Sequence, residues 1–158
     1  MHLKNNGGVA VGDLSMLAAW EQALIHDLRL WCQGPDGRAQ VWNRFALTLP
    51  RGTAGAHIHV FEDLIATLST YARRTLVRHH VECACLGADE AVFLHIVRAA
   101  SAGDIHDAAM VAALVVLPAH AERVALMAAQ VGVATRHISD VATPVADEAG
   151  DRPRTPLH

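Results

Sequence analysis

From position 79 the chain reads His79-His80-Val81-Glu82-Cys83-Ala84-Cys85-Leu86-Gly87-Ala88-Asp89-Glu90, gathering two of its three cysteines, a pair of imidazoles and several carboxylates in one stretch. Thiolate, imidazole and carboxylate are the donors that zinc takes in a tetrahedral shell. With a helix running one turn past Arg78, His79 and Cys83 stand at i and i+4 on one face, and Cys85 folds back across the turn to the same ion. The pattern therefore predicts a zinc site built from His79, Cys83 and Cys85, with His80 or Asp89 as the fourth ligand. Arg78 and the N-terminus of a helix starting near Ala88 both favour negative charge at the thiolates. Such a site would tie the end of one helix to the start of the next, so the expected role is structural or sensory. The competing expectations for the same cysteines are inert packing as small hydrophobes and redox or regulatory thiol chemistry.

Other constellations carry less. His80-Val81-Glu82 ahead of cysteines lacks the Pro-Cys-x-x-Cys that zinc deaminases place well downstream, which excludes that chemistry. His57-Ile58-His59 with Glu62 and Asp63 directs its two imidazoles to different helix faces and reads as a solvated helix start. A di-iron bundle needs Glu-x-x-His on two helices, and neither copy is present. His95, His106 and His120 stand singly on helices. The signatures of serine hydrolases, phosphate-binding loops, dinucleotide folds and His-Glu-x-x-His metalloproteases are all missing, so no catalytic role is supported. The segment from Ala128 to Val141 meets the packing requirements of a helix-turn-helix, with an alanine four residues before Gly132 and with Ile138 and Val141 inward on a second helix. Arg136, His137 and Ser139 would then face a DNA groove. The alternative function is accordingly a metal-free regulatory or protein-interaction module, reading DNA through residues 124–141.

These side chains must be positioned by a chain of 158 residues, 52% hydrophobic but only 4% aromatic, which suits one domain of aliphatic helix interfaces better than a β-sandwich. A net charge of −3 offers no global field for phosphate backbones or anionic lipid. Apolar spacing predicts helices beginning at Asp13 or Ser15 and ending at Gly34, then over 38–49, 53–78, 88–102, 104–117 and 118–132, punctuated by Gly and Pro. The fold expected is all-α, a single-domain bundle of five or six helices with short loops. Residues 1–12 read as a loose lead, 13–142 as the helical domain, and the polar, proline-bearing 143–158 as a disordered tail. With no signal peptide and no apolar run near the ~20 residues of a membrane span, a cytoplasmic location is expected. Cys83 and Cys85 look too close for an ordinary bridge, which favours reduced thiols. Helices apolar on more than one face predict a homo-oligomer, and a protein partner is a further expectation.

Overall fold

The computed structural model describes residues 6–142. The termini over 1–5 and 143–158, and with them the tail expectation, lie outside the described residues. Among the described residues are six α-helices: α1 (Ala19–Gln33), α2 (Pro35–Thr48), α3 (Ala54–Thr70), α4 (Ala88–Ser101), α5 (Ile105–Val115) and α6 (Ala121–Ala142). A short antiparallel pair, β1 (Ala10–Asp13) with β2 (Cys85–Gly87), completes the architecture. The fold is the all-α bundle that the periodicity predicts. None of the described helices is long and apolar enough to cross a membrane.

α6 is the central element. It packs against α1, α3, α4 and α5, and it buries Val124, Ala125, Ala128, Val131 and Ile138. Small side chains make this possible: Ala108 and Ala112 of α5 are fully buried beside it, and short side chains let helix axes approach closely. Aromatic core residues of α1, α2 and α3 gather together, with Trp31 of α1 edge-on to Phe61 of α3 at 5.5 Å between ring centroids. Asp27 of α1, 1% exposed, pairs with Arg44 of α2.

Four boundaries differ from the sequence expectation, each for a local reason. Residues 6–12, expected within the loose lead, form a 3-10 turn over Asn6–Gly8 and then β1, which ends at Asp13. Asp13 does cap a helical turn, accepting from the Ser15 amide at 2.8 Å, but that turn is the short 3-10 segment Leu14–Met16, and α1 starts only at Ala19. α3 ends at Thr70 instead of continuing to Arg78. There the backbone is diverted to the end of α5: the Arg73 amide donates to Val115 O at 2.9 Å, Leu117 N to Tyr71 O at 3.0 Å, and Arg73 Nε to Ala113 O at 2.8 Å. These bonds satisfy carbonyls that a helix C-terminus leaves open, so residues 71–84 run as an irregular linker.

The fourth difference removes the helix-turn-helix. α6 is continuous through Gly132. A Cβ at that position would stand 2.6 Å from Ser101 Oγ and 3.1 Å from Val97 Cγ1 of α4. Gly132 thus lets α6 approach α4 closely, and the signal mistaken for a turn is a close-packing signal. Arg136, expected in a groove, stacks over the Trp20 ring at 4.2 Å and donates to Ser101 Oγ at 3.4 Å. His137 and Ser139 follow on the same unbroken helix.

Candidate metal centre

The site is organised by a residue far from it in sequence. Arg29 projects from α1 into the core, fully buried, and meets Glu90 in the first turn of α4, 1% exposed. The pair is bidentate: Nε to Oε1 at 2.7 Å and NH2 to Oε2 at 2.8 Å. Two buried charges are tolerable when geometry is good and the remaining donors and acceptors are satisfied. Here they are satisfied by the cysteine loop. Arg29 donates to Cys83 O and to Cys85 O, both at 2.7 Å, while Glu90 accepts from the amides of His79 at 3.0 Å and Gly87 at 2.9 Å. Burial by itself raises the Glu90 carboxyl. The hydrogen bonds from Arg29, Gly87 and His79 outweigh burial and hold it below the ordinary carboxylate range, so Glu90 is ionised at neutral pH.

The carbonyls of both cysteines are therefore pinned to one guanidinium, and the chain bends at Ala84. Cys83 and Cys85 are joined in a disulfide with a Cα–Cα distance of 5.4 Å. This corrects the expectation that their spacing prevents a bridge: the bend at Ala84 brings the two Cα atoms within the usual range for a disulfide. A ring closed over so few residues removes little entropy from the unfolded chain, about 2 kcal/mol at most. Its consequence is local geometry more than global stability.

His79 completes the group. One of its ring nitrogens and the sulfurs of Cys83 and Cys85 all lie within 4.8 Å of one another. The imidazole rests on Gly87, where a Cβ would come within 2.7 Å of its Cδ2 and 2.9 Å of its Nε2, so glycine is what leaves room for the ring. His79 Nε2 is buried with no hydrogen-bond partner among the described residues. A buried ring nitrogen without a partner is costly, and it belongs to the same imidazole that groups with the two sulfurs. The helical route proposed for this grouping is absent, since residues 79–84 are not helical. The loop brings the three together by its bend.

The two candidates for a fourth ligand are placed elsewhere. His80 is exposed, and its Nδ1 accepts from the Glu82 amide at 3.3 Å. Asp89 is held by Arg74 at 2.6 and 3.0 Å and by the Val77 amide at 2.7 Å. Burial raises the Asp89 carboxyl, but these bonds more than reverse it and keep it ionised. Neither residue belongs to the group formed by His79, Cys83 and Cys85. The third cysteine, Cys32, is free. Although the residue is exposed, desolvation by the surrounding chain pushes its thiol up against the pull of Arg78 and Arg38, which disfavours the thiolate that a metal needs.

Beyond the loop, β1 crosses the cysteine segment as a strap. Asp13 pairs with Cys85, Gly12 with Leu86 and Ala10 with Gly87, and the Leu14 amide donates to Ala84 O at 2.8 Å. Sequence reasoning missed both the strap and Arg29. For Arg29 a signal existed, because it sits four residues after the inward-facing Ile25 on an amphipathic helix. For the strap there was none: Val9-Ala10-Val11-Gly12 is short and rich in small residues, and its strand character depends on β2.

Fold and site together define a small all-α protein whose linker carries a His/Cys group that could hold a metal ion. Comparison with family models, curated proteins and solved structures finds no match to this chain.

Proposed function

We propose that the reduced chain binds one divalent metal ion, zinc by the chemistry of its donors, through His79, Cys83 and Cys85, in a structural or sensory role. The observation that carries this reading is the gathering of one His79 ring nitrogen and the Cys83 and Cys85 sulfurs within 4.8 Å of one another, on a backbone held by Arg29, with the Nε2 of that imidazole buried and unpartnered among the described residues. Thiolate sulfur and neutral imidazole are zinc's preferred protein ligands. The disulfide form cannot serve, because its sulfurs carry no charge, so the metal-holding state is the dithiol. With Asp89 committed to Arg74 and His80 outside the group, the fourth position falls to water. A bound ion would fix the linker against the start of α4. The Arg29–Glu90 pair positions the ligand backbone without contributing a ligand, as supporting hydrogen bonds do in metal sites. The DNA-reading alternative loses its support with the unbroken α6.

Zinc titration of protein purified without a His-tag and fully reduced tests the reading. One zinc per chain is expected, with a raised melting temperature. Cys83→Ser/Cys85→Ser should abolish uptake. Gly87→Ala, which removes no ligand but crowds the imidazole, should weaken affinity by about tenfold, the scale seen when the surroundings of a ligand are disturbed. No uptake by the reduced wild type, with thermal stability unchanged in the double variant, would return these cysteines to packing.

A further inference from the structure

We infer that the zinc-bound dithiolate and the Cys83–Cys85 disulfide are exchangeable states of one sulfur pair, and that the N-terminal strap reports which state is present. This rests on the metal site proposed above and concerns its regulation. The same two sulfurs that complete the metal group are bonded to each other here, so the two states exclude one another.

The interconversion is a two-electron oxidation by hydrogen peroxide. One thiolate attacks a peroxide oxygen, the O–O bond breaks, and a sulfenic acid forms with loss of hydroxide. The second thiolate attacks that sulfur, the S–S bond forms, and a second hydroxide leaves. The two sulfurs have given two electrons to the peroxide, solvent protons convert both hydroxides to water, and zinc departs because its thiolates are gone. A small dithiol restores the site by exchange, supplying two electrons and two protons and becoming a cyclic disulfide itself.

The strap is implicated by how the loop is held. In a disulfide the sulfurs are one bond apart, whereas on a tetrahedral zinc at ~2.3 Å they stand about 3.8 Å apart. Arg29 anchors Cys83 O and Cys85 O from within the core. The peptide between them faces the other way, with Ala84 O bonded to the Leu14 amide. Spreading the sulfurs therefore falls on Ala84 and on the strap that it holds. That strap yields readily: all of β1 is exposed, Val9 and Val11 are 54% and 58% exposed, and although β2 buries Leu86 and Gly87, a short strand that keeps its own side chains in solvent opens at low cost.

The test uses the full chain in disulfide, reduced metal-free and reduced zinc-loaded forms. Zinc binding by the reduced form is read first, and its failure would remove the metal reading and this inference together. Hydrogen peroxide is then added to the zinc form with a chromophoric chelator present. Expected are release of one zinc with loss of two thiols, and amide exchange over residues 9–14 about tenfold faster in the zinc form than in the disulfide form, with α6 unchanged. Cys32→Ser should respond as the wild type does. Zinc retained after Cys83 and Cys85 are oxidised, strap exchange equal in the two forms, or a response lost in Cys32→Ser would each overturn the inference while leaving zinc binding standing.

Discussion

Asp27 shows how a single buried side chain makes stability depend on pH. Burial pushes its carboxyl up to about 7, against the downward pull of Arg44. Between the unfolded value of 3.8 and about 7, the folded chain keeps a proton that the unfolded chain has released. Rising pH therefore lowers stability, by up to about 1.4 kcal/mol for each pH unit of that window. His26 beside it is lowered by burial and by Arg44 and Arg29, which acts in the opposite sense, so wild type must be compared with a variant that keeps His26. In urea denaturation, the stability of wild type relative to Asp27→Asn should fall steadily from pH 4 to pH 7. A difference that stays constant with pH would mean Asp27 is ionised throughout, held by Arg44. At this scale the sequence was legible in part: His79, Cys83 and Cys85 could be chosen from donor chemistry, while Asp89 and His80 could not be rejected. Their partners, Arg74 and the Glu82 amide, are set by the path of the linker, and no spacing rule encodes that path.

Helices were legible wherever apolar residues kept a 3.6-residue beat, and their ends were legible only where the stop is local. α4 ends within a residue of its expected limit because Gly103 follows, with φ of 97°. α3 loses two predicted turns because its stop is tertiary, supplied by the C-terminus of α5 through Arg73. Gly132 makes the same distinction testable. If it serves close packing, Gly132→Ala should cost about 1–3 kcal/mol through overpacking, despite alanine's better helix propensity. Adding Ser101→Gly, which removes the nearest side chain, should recover part of that loss beyond the sum of the single effects. Stabilisation by Gly132→Ala alone would show that α4 yields without strain.

For the molecule as a whole, composition was sufficient to predict a helical bundle, but not which of its surfaces stay uncovered. Met110, Leu114 and Leu117 recur at helical spacing along one side of α5 and its end, exposed by 59%, 74% and 48%. If copies of the chain associate as their apolar content suggests, this side supplies the contact, and Leu114→Lys should shift sedimentation toward monomer. A wild type already monomeric at high micromolar concentration would discard the association. The Arg29–Glu90 pair bears on another property of the whole chain, the order in which it can be made. The two residues are 61 positions apart, a lag of roughly 3–12 s on a ribosome adding about 5–20 residues per second. Throughout that interval α1 carries a cation whose carboxylate has not yet been synthesised, and burying it unpaired would be strongly unfavourable. α1 must stay at the water surface while α2 and α3 emerge. The arrival of residues 83–90 then supplies in one step the counter-ion for α1 and the second strand for β1, so the amino-terminal third of the protein is finished by a segment translated from its middle.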